Sequence, residues 1–176
     1  MFYFRLIFIS IISIFIIISL YSCCLGARRY ADLIEDSAQE FGVEASVVYA
    51  VAEVESHFNP KAKSKAGAIG IMQIMPETGR WIAGVLLIDD YQDENLYRPE
   101  VNIRFGAYYL SYLFSIFEED WQVYAAYNAG EGAVKGWLED KTFQKDAIPY
   151  DETAKYVFKV ERAVRRYAKK NLLAFN

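Results

Sequence analysis

Beyond residue 28 the apolar positions recur at helical spacing rather than in alternation. From Arg29 to Phe41, Ala31, Ile34, Ala38 and Phe41 fall three or four residues apart and Gly42 follows, which predicts a helix over 29–41. A second is predicted over Ala45–Ser56, closed by the Asn59-Pro60 breaker. Pro76 and Pro99 suit first helical positions, so helices are expected from Pro76 to about Val85 and from Pro99 to about Phe117. Short helices follow over Trp121–Tyr127 and Val134–Leu138. The last, Thr153–Lys169, carries Val157, Val160, Ala163, Val164 and Tyr167 on one stripe. No long segment alternates polar and apolar residues. The expected fold class is therefore mainly α, a single helical domain with little or no sheet.

Residues 1–27 follow a different pattern. They hold 21 apolar residues and a single charged side chain, Arg5. A leader over 1–27 and a folded domain over 28–176 are expected. Leu20-Tyr21-Ser22-Cys23 is similar to a bacterial lipobox, whose cysteine becomes lipidated, so Cys23 is the candidate for lipidation. A cleaved export signal and an uncleaved membrane anchor are the other readings. All three put the domain outside the cytoplasmic membrane, in the cell envelope, either attached to a membrane or periplasmic.

Charge and cysteine content remove several functions. The 176 residues carry a formal charge of −4, and a net negative domain does not suit phosphate binding, so nucleic acid is not an expected partner. The basic residues of the last helix, among them Lys159, Arg162 and Arg166, read as a solvated face. Cys23 and Cys24 are the only cysteines and both lie in the leader, so the domain lacks a disulfide and a thiol nucleophile. No metal or other cofactor is expected.

The helix over 45–56 carries two acids in different settings. Val48, Val51, Ala52 and Glu55 share one face, so Glu55 continues an apolar stripe, whereas Glu53 lies about 200° around the axis on the polar side. Burial disfavours a charged carboxylate and raises its pKa, the condition a general acid needs near neutrality. A structural Glu satisfied by a buried partner would fit the same spacing. His57, the single histidine, should diverge from Glu55. The loop after Pro60 sets Ser64, Gly67, Gly70, Met72 and Gln73 close together, where glycine lets backbone approach a ligand and Gln73 both donates and accepts. Tyr127 and Asn128 stand at a helix end, and Glu152 and Tyr156 one turn apart in the last helix. Taken singly, Asn128 fits a plain helix cap and Glu152 favourable charge at a helix start. Phe105, Tyr108, Tyr109 and Tyr112 read mainly as core, with one Tyr available to stack on a sugar.

Taken together these segments resemble the soluble lytic transglycosylases, lysozyme-like enzymes that cleave bacterial peptidoglycan. The likeness rests on Glu55-Ser56-x-Phe58-x-Pro60-x-Ala62-x-Ser64, Gly67-Ala68-x-Gly70-x-Met72-Gln73-x-Met75-Pro76, Asn95-Leu96-Tyr97-x-Pro99-x-x-Asn102-Ile103, Ala126 to Gly130, and Pro149-x-x-Glu152-Thr153-x-x-Tyr156-Val157. It implies a lysozyme-like helical fold with a sugar groove and Glu55 as single acid/base. By the same resemblance Ser64 supports Glu55; Gln73, Tyr127, Asn128 and Glu152 line the muramic-acid and glucosamine subsites; and Gly70, Met72 and Tyr156 belong to the site. The implied partners are glycan strands of peptidoglycan, a membrane through the leader or its lipid, and, left open, proteins of an envelope machine. Two other functions stay in play. A lysozyme-type hydrolase would need a second acid, with Asp89, Asp90 and Asp93 as candidates, or a bound water opposite Glu55, and a wall-binding scaffold would need no acid at all.

Overall fold

Seven α-helices and two short 3₁₀ turns account for nearly all regular structure among the described residues, Leu25 and 27–174, of the computed structural model. In chain order the helices are α1 (Ala31–Phe41), α2 (Ala45–Ser56), α3 (Pro76–Val85), α4 (Pro99–Ile116), α5 (Asp120–Ala129), α6 (Glu131–Trp137) and α7 (Asp151–Ala174). The 3₁₀ turns are Asp93–Tyr97 and Lys145–Ala147. Among the described residues no strand forms. The loop 57–75 makes only isolated bridges, Lys63 with Ile69 and Ile69 with Ile74.

α2 is the centre of the molecule. Every residue from Ser46 to Ala52 is buried, and α1, α4 and α7 all pack on it. A helix surrounded in this way is apolar on nearly every side, and Val47, Val48, Tyr49, Ala50, Val51 and Ala52 supply that surface. Only its last turn leaves the core. His57 and Phe58 both take left-handed backbone angles there, and Phe58 N–H donates to Ala52 O across the end of the helix.

α1 begins at Ala31 rather than Arg29, and the bounds of α5, α6 and α7 differ from the sequence expectation for local reasons. α5 starts at Asp120 because Glu119 and Gln122 cap each other's backbone, and it runs on to Ala129 until Gly130 turns the chain at φ +89°. That turn lets α6 begin at once at Glu131, ahead of its first buried residue, Val134. α7 starts at Asp151, with Asp151 and Glu152 in its first turn where acids favour a helix, and it continues past Lys169 to Ala174. At the other end Ala27 and Tyr30 are already buried in the core. Cys23 lies outside the described residues, as does the leader except for Leu25 and Ala27.

Candidate active site

α2 delivers Glu55 to the rim of the core. Burial pushes its carboxyl from an ordinary 4.5 up to about 7, opposed in part by a hydrogen bond that favours the charged form. The donor is the Tyr156 hydroxyl, 2.7 Å from Oε1. Tyr156 comes from the second turn of α7 and is itself buried. No neighbouring charge contributes to the shift of Glu55. Such a carboxyl can both give and take a proton near neutral pH.

The loop 57–75 is fixed beside it by buried polar groups. Asn102 of α4 accepts from Met72 N–H at 2.7 Å and donates to the carbonyls of Ile69 and Leu96, both at 2.8 Å. Gly70 sits against this amide at φ +82°, where a Cβ would fall 2.4 Å from Asn102 Nδ2 and from Leu96 O, so only glycine fits. Ser56 Oγ donates to Ile71 O at 2.7 Å, tying the loop to the helix that carries Glu55. Gln73, at φ +48°, donates from Nε2 to Gly70 O at 2.8 Å.

Beside this loop a cleft of about 250 Å³ is lined by Gln73, Met75, Thr78, Tyr109, Tyr127 and Asn128, with Ile74, Ala129 and Gly130 behind. The Tyr127 hydroxyl donates to Met72 O at 2.8 Å. Burial first and then the charge of Glu55 raise its pKa. Asn128 Oδ1 accepts from Thr153 Oγ1 at 2.8 Å, which links the cleft to the first turn of α7.

The structure thus brings Glu55, Tyr127 and Tyr156 together and sets Gln73 and Asn128 in the same cleft as Tyr127. Other residues singled out in the sequence stand differently. Tyr156, not Ser64, meets the Glu55 carboxyl; the Ser64 hydroxyl accepts from Ala68 N–H at 2.9 Å and closes a turn of the loop. Met72 is fully buried with its sulfur where a Cβ on Gly106 would be, so its side chain is core and only its backbone reaches the site. Glu152 is exposed, one turn before Tyr156. Asp93 is held by Arg80 at 2.6 Å, and no acid is hydrogen-bonded to Glu55.

Sequence reasoning gave no role to Asn102 or Thr153, and it read Tyr109 mainly as core within a cluster of which one Tyr could stack on a sugar. The signal for Asn102 was an amide among apolar residues of a helix start, which needs a buried partner to be tolerated. Glu53, on the polar side of α2, is bound at its carboxylate by Arg166 and Tyr167 of α7, so Arg166 departs from the solvated face expected of the last helix. A larger groove of about 350 Å³ adjoins it, lined by Glu53, His57, Phe158, Lys159, Arg162 and Arg166 and not by Glu55. Among the described residues no group of three or more His, Cys, Asp or Glu is arranged to hold a metal ion.

Residues 32–148 match the family model of the transglycosylase SLT domain, about two thirds of the chain. The chain belongs to this family. Among curated SLT relatives, the soluble lytic murein transglycosylase of Escherichia coli K12 is 38% identical over 137 residues, covering 73% of this chain and 21% of that protein. The membrane-bound lytic murein transglycosylase C of Actinobacillus pleuropneumoniae is 36% identical over 168 residues, 80% of this chain and 46% of that protein. The chain therefore spans about a fifth of the soluble enzymes and under half of the membrane-bound ones. Solved SLT structures agree with the fold. A lytic transglycosylase from Pseudomonas aeruginosa, an inactive Glu→Gln mutant, superposes with a TM-score of 0.75 at 35% identity over 80% of this chain and 24% of that one. A 70 kDa soluble lytic transglycosylase in complex with bulgecin A gives 0.74 at 36% identity over 80% of this chain and 24% of that one. The fold is that of the lysozyme-like SLT domains.

Proposed function

We propose that this SLT domain is a peptidoglycan lytic transglycosylase that cleaves the β-1,4 bond between N-acetylmuramic acid and N-acetylglucosamine. The observation that carries the reading is the Glu55 carboxyl at the end of α2 with the Tyr156 hydroxyl 2.7 Å from it, where burial pushes its pKa up to about 7. Protonated Glu55 gives its proton to the glycosidic oxygen as the bond to C1 breaks. As a carboxylate it then takes the proton of the C6 hydroxyl of the same muramic acid. That oxygen bonds to C1 and closes a 1,6-anhydro ring, with no water consumed. Glycosidases that use water as the nucleophile set two carboxyls roughly 5–9.5 Å apart across the bond. On this reading Glu55 works without such a second acid. The Glu→Gln change that accompanies inactivity in the Pseudomonas relative is in keeping with this chemistry.

In this reading Gln73, Tyr127, Asn128 and Glu152 contact the sugars. Gly70, Met72 and Ser64 hold the loop in shape, and Tyr156 tunes Glu55. The leader over 1–27 exports the domain and Cys23 carries lipid, a placement supported by the membrane-bound relative. Digestion of purified wall in heavy-oxygen water tests the chemistry. Fragments should end in 1,6-anhydro-muramic acid without label; heavy oxygen at C1 in most of them would make water the nucleophile and the protein a hydrolase. Fatty-acid labelling that vanishes in Cys23→Ala tests the anchor.

A further inference from the structure

The cleft does not end at Tyr109. Met75, just before α3, and Thr78 of α3 line it, and the face of the helix bearing Thr78 continues to Trp81, which is 39% exposed. On α4 the face bearing Tyr109 continues to Tyr112, and the two rings lie nearly parallel, 6.3 Å apart at 16°. Trp81 stands edge-on to both, at 4.9 Å from Tyr112 and 6.3 Å from Tyr109. Tyr109 in turn is 5.4 Å from Tyr127. A continuous aromatic path thus leads out of the cleft into a corner with Tyr109 and Tyr112 on one side and the indole on the other.

Polar groups at this corner are held in place. The Glu131 carboxylate of α6 is bound by Lys135 at 3.2 Å, and it is near enough to Tyr112 to raise the pKa of that hydroxyl. Among the described residues the Trp81 indole N–H has no hydrogen-bond partner, whereas that of Trp121 donates to Glu119. A flat apolar surface beside an oriented acceptor and an available donor matches a pyranose, whose faces present C–H groups and whose rim carries hydroxyls and amides.

We propose that the groove extends past Tyr109 into a further saccharide subsite formed by Trp81, Tyr112 and Glu131, which holds an additional N-acetylated sugar of a long glycan strand. This inference rests on the reading of the cleft as a glycan groove. Longer strands should therefore bind more tightly than those that fill the cleft alone, and the gain belongs to Trp81.

The test is calorimetric titration of the Glu55→Gln chain with peptide-free glycan strands of increasing length. Affinity should rise about tenfold once a strand is long enough to reach Trp81. Trp81→Leu should abolish that rise and Trp81→Tyr should keep most of it, with equal thermal midpoints as the check on folding. A rise that persists in Trp81→Leu, or no rise with length in the parent, would overturn the subsite. Cleavage by the chain with Glu55 intact is scored separately. Length-dependent binding that needs Trp81, with no anhydro product from the intact chain, would sink the transglycosylase reading and leave the subsite standing.

Discussion

Because burial favours the protonated form of Glu55, the native state binds a proton there that the unfolded chain releases from about pH 4.5 upward. Between pH 4.5 and about 7 the folded protein holds more protons, so stability falls as pH rises through that window. The loss is on the order of 3 kcal/mol and is complete above the folded pKa. Glu55→Gln removes the titration, so relative to the unmodified chain it should gain about that much stability between pH 4 and pH 8, as urea unfolding at the two pH values would register. Tyr156→Phe acts on the same carboxyl in the other direction. The hydroxyl lowers the Glu55 pKa, so its removal should move the alkaline limb of the pH–rate profile upward, with less effect on the rate at the optimum. A fall in rate without movement of that limb would show that Tyr156 only fills space. Glu55 was legible from its place on an apolar stripe, since facing is a property of one helix. Its contact with Tyr156 joins residues 101 positions apart, and no local spacing encodes that.

At the scale of elements, the loop 57–75 is shaped mainly by one side chain of α4. Asn102→Ala would leave Met72 N–H and the carbonyls of Ile69 and Leu96 without their partner, a loss of about 3 kcal/mol or more in thermal unfolding. Gly70→Ala should be similarly severe, because positive φ and two contacts at 2.4 Å both oppose a Cβ. Tyr91 offers the opposite outcome. Its buried hydroxyl has no hydrogen-bond partner, so Tyr91→Phe should raise stability by about 1 kcal/mol. Helix positions were readable from periodicity, most closely for α2 and α3, where Asn59-Pro60 and Pro76 punctuate the chain. Partners between elements were not. Periodicity marked Glu53 as polar, yet only the packing of α7 on α2 supplies Arg166 and Tyr167 to meet it.

For the whole molecule, α7 is the element that joins site to scaffold. It packs on α2 and α5, its Tyr156 holds Glu55, and its Thr153 holds Asn128. The SLT family match stops at residue 148, before this helix begins. A chain cut after Ile148 would expose the face of α2 that α7 covers and would lose both bonds. It should fail to give a cooperative unfolding transition, whereas the chain from Ala27 to Lys169 should unfold cooperatively by circular dichroism. The helical class was legible because apolar spacing alone sets it. The importance of α7 was not, since it follows from which helix lies across α2. The burial of Ala27 carries a consequence for reach. With lipid on Cys23, only Cys24, Leu25 and Gly26 separate the bilayer surface from the folded body, a leash of at most about 14 Å when fully extended. On the proposed reading, a domain on so short a leash would work within little more than its own width of the membrane. The strands it trims would be those nearest its anchor, and distance from the bilayer, rather than sugar sequence, would decide which bonds it meets.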